Sequence, residues 1–194
     1  SLTGGWYHLV AVTDPATSTA KLYINGSEPT YATYAVGSGT TTDATYDVLI
    51  GNRGNADRSY DGIIDEVRVS SAVRAQCYIQ TEYNNINSPV TFYEVGTEEP
   101  LGFNYYKPLT IQSSMMGTSC GTSGVTEFPL LINLSGVTEI KTTTNGGHVY
   151  SSSGYDIIFK DASGVKLDHE VEYYSGTSGD LVAWVRVPVI SGTT

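Results

Sequence analysis

The sequence predicts an all-β protein with one short helix, built from two β units that follow one another. Three observations predict this class. The chain is rich in Thr, Ser, Gly and Tyr, with 15 Tyr against 4 Phe and 2 Trp, a composition that suits half-exposed sheets. Short alternating or β-branched runs recur between turns that contain Gly, Asn or Asp. Residues 72–83 have the spacing of an amphipathic helix.

Charge excludes several classes of partner. The 194 residues carry 20 acidic and 10 basic side chains, a formal net charge of -10 and a sequence pI near 4.5. Such a field repels nucleic acid and anionic lipid headgroups. No apolar run approaches the roughly 18 residues that a membrane span requires. We therefore expect no nucleic-acid partner and no membrane insertion.

The first half contains four predicted strands before its central run. They cover residues 6–12, 20–24, 31–36 and 46–50. The first is apolar on both faces, which predicts a place inside a sandwich. The second ends at Asn25-Gly26, a dipeptide typical of a tight type I′ turn.

The central run, residues 60–69, alternates acidic or small residues with β-branched ones. This pattern predicts a strand packed on one face. The helix predicted over 72–83 follows, with Val73, Cys77, Tyr78, Ile79 and Tyr83 available for its inward face and Asn84-Asn85 expected to stop it.

The second half also has the alternation of an antiparallel β domain. A short acidic stretch that contains Gly and Pro precedes it and is predicted to be a brief linker. Predicted strands cover residues 105–111, 128–134, 154–159, 165–167, 169–174 and 180–187. Residues 160–164 are predicted to form a hairpin turn with Gly164 at positive φ.

Ordered motifs in the first half resemble a known family. They are WYHLVAV (6–12), LYING (22–26), IGN (50–52) and DGIIDEVRV (61–69), followed by IQTEYNN (79–85) and SPVTFY (88–93). Together they resemble the C-terminal half of a LamG-like module, a jelly roll of the concanavalin A-like lectin and glucanase type. The resemblance implies a half sandwich over residues 1–96, whose missing strands come from removed sequence, from another chain or from the second unit.

The second half resembles the uncharacterised domain that commonly accompanies LamG-like modules in large bacterial and archaeal surface proteins. The motifs are YKPLTI (106–111), FPLL (128–131), GYDIIF (154–159), HEVEY (169–173) and VAWVRVP (182–188). The resemblance implies a linker at 97–102 and a second antiparallel, β-sandwich-like domain at 103–194. The family usually continues into further strands, so this domain is expected to be truncated at its C-terminus.

Carboxylates in the central run invite comparison with retaining glucanases, which need two carboxyl groups about 5 to 5.5 Å apart. In a strand, Asp61 and Asp65 share a face with Ile63 between them, and Glu66 points the other way. The middle carboxylate is therefore missing. We favour a structural role in which Asp65 and Glu66 bond backbone or pair with Arg68 or Arg74.

Two polar groups are candidate ligand sites. Residues Asn52, Arg53, Asn55, Asp57 and Tyr60 form a loop with the side chains that sugar or calcium binding uses, although exposed turns have the same composition. A second acidic group comprises Asp156, Asp168, His169, Glu170 and Glu172. Its spacing matches no calcium loop, and we favour a solvated face partnered by Lys166 and Arg186 over a metal site.

The two cysteines, Cys77 and Cys120, match no metal or redox motif. They could form one bridge, within the chain or between chains. We favour two unrelated, half-buried residues, because an unpaired Cys behaves as a small hydrophobe. Asn25 and Asn133 fit the N-glycosylation pattern, which matters only in a host with that machinery.

The resemblances lead to a prediction of function. We expect no enzyme and no cofactor, apart from a structural calcium ion as an open alternative. The chain is predicted to be a segment of a secreted, multi-module protein at the cell surface or in an extracellular filament, and its partners to be other copies or modules of that protein. The alternative is a polysaccharide-binding module, with or without calcium.

Overall fold

The computed structural model describes residues 4–34, 47–55, 57–101, 104–118, 120–121 and 124–191. Its strands are β1 (Leu9–Asp14), β2 (Thr19–Ile24), β3 (Tyr93–Val95), β4 (Glu99–Leu101), β5 (Asn104–Tyr106), β6 (Leu109–Ile111), β7 (Val125–Leu134), β8 (His169–Ser175) and β9 (Asp180–Ile190). Its helices are α1 (Gln76–Asn87) and α2 (Pro89–Phe92). All ladders between these strands are antiparallel. The predicted all-β class is confirmed.

The main core lies around a three-stranded sheet with the order β7-β9-β8. Phe128 and Ile132 of β7 and Leu181 of β9 are almost fully buried. Phe92 of α2 is fully buried as well and stacks on Phe128, with 6.0 Å between ring centroids. Helices α1 and α2 therefore pack on this three-stranded sheet, where both contact β7.

This core includes residues on both sides of the predicted linker. Cys77, Phe92 and Tyr93 precede the linker and belong to the same buried cluster as β7 and β9. Within the predicted linker, Glu99–Leu101 forms β4 and pairs with β5. The division into two domains by a linker at 97–102 stays a prediction. The packing joins α1 to the β7-β9-β8 sheet.

Helix α1 begins and ends about four residues later than the sequence pattern predicted. Val73 consequently lies before the helix and is exposed. The expectation that Asn84-Asn85 would stop the helix is wrong. Asparagine is a poor helix former because it competes for backbone bonds, but here Asn84 donates to the Met115 carbonyl at 2.7 Å and Asn85 bonds the backbone of Leu131. Tertiary bonds override the local preference.

Strands β1 and β2 form a hairpin close to their predicted positions. The turn after β2 is confirmed, since Asn25 and Gly26 have φ of 50° and 75°. A side chain at Gly26 would also come within 3.2 Å of Tyr83 on α1. Burial in β1 alternates, with Leu9 59% exposed. The expectation that both faces of this strand are buried is wrong, because no second layer covers the Leu9 face in the described part of the chain.

The predicted strand at 60–69 is absent. All ten residues are exposed and form no ladder. Residues 31–34 and 47–50, the described parts of two further predicted strands, form no ladder either, and 35–46 lie outside the described residues. Strand patterns become strands only where a neighbour accepts their hydrogen bonds, and the described residues provide none here.

The second half follows its predicted strands more closely. Strands β7, β8 and β9 lie at or slightly beyond their predicted bounds. The strand expected over 105–111 is divided into β5 and β6 at Lys107-Pro108, where proline removes a ladder donor. The turn at Gly164 is confirmed, with φ of 84°. The predicted strands at 154–159 and 165–167 form no ladder, and one isolated bridge joins Lys160 and Lys166.

Candidate functional site: an open strand edge and exposed apolar residues

One edge of the first hairpin is open. Asn25 donates its N–H to the His8 carbonyl at 2.8 Å, so alternate residues of β1 from His8 onward face β2. The N–H and C=O groups of Leu9, Ala11 and Thr13 therefore point to the outer edge of β1. Among the described residues no hydrogen-bond partner lies on this edge. An unpaired edge of this kind is a template for another strand.

The outer edge of β2 is mostly closed by the chain itself. Ile24 exchanges two backbone hydrogen bonds with Ser27, at 2.8 and 3.1 Å. Leu22 donates its N–H to the Tyr31 hydroxyl at 2.9 Å, and that hydroxyl in turn bonds Glu28 at 3.1 Å. Ala20, at the end of this edge, has no such partner in the described part of the chain.

Side chains close the outer edge of β7 in the same manner. Asn85 accepts the Leu131 N–H at 2.7 Å and donates to the Leu131 carbonyl at 3.3 Å. The Tyr93 hydroxyl accepts the Asn133 N–H at 2.8 Å and donates to the Asn133 carbonyl at 2.9 Å. Each side chain takes the place of one residue of a neighbouring strand. Burial raises the pKa of Tyr93, which keeps its hydroxyl protonated and able to donate.

Strand β8 is protected differently. Its register with β9 shifts between Val171 and Tyr173, which marks a bulge. Glu170 and Glu172 are exposed on this strand. Bulges and edge charges are both devices that discourage the addition of a strand. The open edge of β1 thus contrasts with three protected edges.

The first unit also exposes many large apolar side chains. Ten such residues between 4 and 69 are 52–85% exposed. On and beside the hairpin they are Trp6, Leu9 and Leu22. Outside it they are Val48, Leu49, Ile50, Tyr60, Ile63, Val67 and Val69. Single exposed apolar residues are ordinary, but a concentration of this size marks an interaction surface.

An ion cluster holds Arg68, near the end of the 60–69 segment, beside α1 and Trp184. Arg68 binds Glu82 of α1 at 3.1 Å and Glu66 at 2.8 Å, and its guanidinium lies 4.3 Å from the centroid of the Trp184 ring. His8 Nε2 is 3.5 Å from the other oxygen of Glu82. Burial raises the pKa of Glu66, with Arg68 opposing this effect. Glu82 therefore connects His8, the residue before β1, and the 60–69 segment to α1.

The carboxylates of the central run have structural partners. Asp65 accepts the N–H of Glu66 at 3.0 Å, and Glu66 pairs with Arg68. The preferred structural role of these two residues is confirmed. Because the segment forms no strand, the expected shared face of Asp61 and Asp65 does not exist.

The predicted ligand loop is tied together by its own side chains. Arg53 donates to both carboxylate oxygens of Asp57, at 2.5 and 2.6 Å, and this bond lowers the pKa of Asp57. Asn52 accepts the N–H of Arg53 at 2.8 Å and donates to Ser59 at 3.2 Å. Asn55 and Tyr60 are exposed, and Tyr60 donates its N–H to Gly51. Asp57 is thus paired rather than available to a cation, and ligand binding at this loop stays a prediction.

Asp156 and Asp168 of the second acidic group bond different partners. Asp168 binds Arg186 at 3.3 Å, as expected, and Glu127 binds the same guanidinium. Asp156 instead accepts the N–H groups of Tyr150 and Ser151, at 2.7 and 3.2 Å. No group of three or more His, Cys, Asp or Glu residues able to hold a metal ion occurs among the described residues.

The two cysteines form a disulfide in the structure, with 5.1 Å between their Cα atoms. This is the alternative that the sequence alone did not favour. The bridge ties α1 to the 116–121 loop, where Thr81 Oγ1 also accepts the N–H of Gly117 at 2.8 Å. A 43-residue separation between the cysteines gave no local signal of their pairing.

Sequence reasoning missed the residues that close the strand edges. The side chains of Asn85, Tyr93 and Tyr31 bond backbone groups that lie 46, 40 and 9 positions away in the sequence. The one available signal was Asn84-Asn85 inside an otherwise helical pattern, which was interpreted as a stop. Within the described ranges, no helix is long and apolar enough to cross a membrane.

The fold and the open hairpin define an antiparallel β protein whose first unit contains a two-stranded hairpin with one open edge. Residues 1–80 match a laminin G-type family model described as the concanavalin A-like lectin/glucanases superfamily. The match ends within α1 and covers fewer than half of the 194 residues. No curated protein and no solved structure matches the chain. The first unit is therefore similar to a concanavalin A-like jelly roll, as its motifs predicted, and the resemblance of the second unit stays a prediction.

Proposed function

We propose that the chain is a non-enzymatic structural segment of a secreted, multi-module protein that forms part of a cell surface or an extracellular filament, such as an adhesin, a stalk or a fibre. The observation that carries this proposal is the contrast between strand edges. The edges of β2, β7 and β8 are protected, while β1 presents an open edge in a unit that exposes ten large apolar side chains, three of them on or beside the hairpin. Such a surface needs a partner.

The connection between the two units supports a mechanical role for this chain within the larger protein. Helix α1 packs on β7, and the Cys77–Cys120 bridge and the Arg68–Glu82 pair link it to the parts of the chain on either side. A disulfide persists in oxidising, extracellular surroundings. The family match of the first unit also favours an extracellular module. We assign the second unit to the uncharacterised domain that accompanies LamG-like modules, which places both units in one tandem array.

Electron microscopy and light scattering of the purified chain test this proposal. We expect oligomers or fibres whose size rises with protein concentration. Dispersed monomers at every concentration, with no other chain attached, would contradict it. A hydrolase would instead show turnover of a polysaccharide that Asp61→Asn abolishes, and we expect no turnover in either protein.

A polysaccharide-binding module is the second candidate, because the matched superfamily includes lectins. The Arg53–Asp57 pair leaves the predicted loop without a free carboxylate at that position, so we expect any binding there to be independent of calcium. Calorimetric titration with a panel of glycans, with and without a chelator, tests both points. Absence of heat across the panel would remove this candidate.

A further inference from the structure

We infer that the partner of the open β1 edge is the 60–69 segment of a second copy of this chain, added to β1 as a strand. The inference rests on the proposed function, since it names the partner of the surface through which assembly is proposed. It specifies one acceptor and one donor, and both lie on the same chain.

The acceptor is the outer edge of β1. Leu9, Ala11 and Thr13 present three N–H and three C=O groups at alternate positions, and all three side chains are exposed on one face. An incoming strand that uses these groups would place its own alternate side chains beside Leu9 on that face. The acceptor therefore favours a strand with apolar residues at every second position.

The donor meets that requirement at three positions of one face, where Ile63, Val67 and Val69 share the face with Asp61 and Asp65. Segment 60–69 contains the β-branched residues Ile63, Ile64, Val67 and Val69 and lacks proline. In the structure its backbone makes two hydrogen bonds within the described part of the chain, from Tyr60 N–H to Gly51 and from Glu66 N–H to the Asp65 side chain. Its remaining backbone groups need water or another strand. Glu66 also has a positive φ of 52°, a conformation that non-glycine residues rarely adopt and that pairing as a strand would remove.

The exposed apolar area of the first unit is large enough for an interface between two copies. Ten apolar side chains of the first unit are more than half exposed. Each exposes on the order of 100 Å², which amounts to roughly 1,000 Å² and is comparable with the about 800 Å² that each partner buries in a stable interface. Exchange between two copies covers the hairpin and the segment of both chains.

Cross-linking between two differently labelled chains tests the contact directly. One chain carries Ala11→Cys and the other Val67→Cys, and neither has another free thiol, because Cys77 and Cys120 are paired. Under mild oxidation we expect a mixed disulfide, identified by mass spectrometry. Ala20→Cys replaces Ala11→Cys in the control, because Ala20 is also an exposed alanine facing an outer edge of the same hairpin. The control mixture should give little cross-linked product.

Proline substitutions test the backbone hydrogen bonds. Ala11→Pro removes an N–H that the hairpin itself does not use, and Ala20→Pro removes the matched N–H on β2. We expect Ala11→Pro to weaken association about tenfold or more, and Ala20→Pro to change it by less than about twofold. Circular dichroism must show that both variants keep the wild-type fold. If Ala11→Pro does not fold, the cross-linking result decides alone.

The outcomes separate this inference from the proposed function. Assembly that persists in Ala11→Pro and gives no Ala11–Val67 cross-link overturns the inference and leaves the structural role standing. A cross-link that forms only within single chains carrying both cysteines also overturns it. A wild-type chain that stays monomeric at every concentration overturns both the inference and the proposed function.

Discussion

Replacement of Asn85 by alanine should strongly destabilise the protein. Asn85 is fully buried and makes two hydrogen bonds with Leu131, one to its N–H and one to its carbonyl. Each buried backbone group left without a partner costs about 1–3 kcal/mol. We therefore expect Asn85→Ala to lower the free energy of unfolding by about 2–4 kcal/mol, a large part of the about 5–15 kcal/mol that is typical of a domain.

Chemical denaturation followed by far-UV circular dichroism measures this loss. Asn87→Ala is the matched control, because Asn87 lies on the same helix, is exposed and bonds only the adjacent Ser88 side chain. It should change stability by no more than about 0.5 kcal/mol. Asn85→Asp keeps the acceptor for the Leu131 N–H but turns a buried carboxylate toward a carbonyl, so it should be at least as harmful as Asn85→Ala. Equal effects of Asn85→Ala and Asn87→Ala would refute the edge-closing role.

Three further predictions concern the disulfide, Arg68 and Asp180. Replacing both Cys77 and Cys120 by alanine should lower the free energy of unfolding by about 4 kcal/mol, because the disulfide restricts the entropy of the unfolded chain. Added reductant should change the denaturation midpoint of the wild type and leave that of the double variant unchanged. Arg68→Ala should cost about 1–3 kcal/mol in denaturant unfolding, since it leaves the buried Glu82 carboxylate without its arginine, whereas Arg58→Ala, an exposed control, should be nearly neutral. Hydrogen bonds from Ser178, Gly136 and Ser135 lower the pKa of Asp180 in the folded protein. The ionised Asp180 carboxylate therefore stabilises the fold at pH values above the unfolded-state pKa near 3.8. This stabilisation is lost as the pH falls through the lower folded-state pKa. Asp180→Asn should accordingly lower the Tm at pH 7, and the difference should disappear near a pH of about 2; a difference of the same size at both pH values would contradict this linkage.

The sequence predicted best those strands that have a partner within the chain. The alternating patterns of β2, β7, β8 and β9 each meet a neighbour that accepts their hydrogen bonds, and the strands lie where the patterns placed them. The 60–69 segment has an equally clear pattern but forms no ladder. A strand pattern reports the capacity to pair, whereas pairing itself depends on which edges other parts of the molecule present.

The candidate site was only partly predictable for a related reason. The motif at Asn25-Gly26 determines a local turn, and that turn formed where the dipeptide predicted it. The closure of β7 by Asn85 and Tyr93 required knowledge of which residues meet across about 40 positions of sequence. Polar side chains that replace a strand have no periodic pattern, so single-sequence reasoning interpreted Asn85 as the end of a helix.

In the first hairpin and the β7-β9-β8 sheet, the contrast between the open edge of β1 and the protected edges of β2, β7 and β8 favours assembly through β1. If every edge were open, a chain rich in β-branched residues would aggregate without order. Within the first hairpin and the β7-β9-β8 sheet, as far as the structure describes them, β7 is closed by side chains and β8 is bulged and acidic, so the longest free row of hydrogen-bonding groups lies on β1. The net charge of -10 adds long-range repulsion between copies, so association needs a contact in which strand pairing and apolar burial occur together. Raising the salt concentration should therefore strengthen the specific assembly rather than dissolve it.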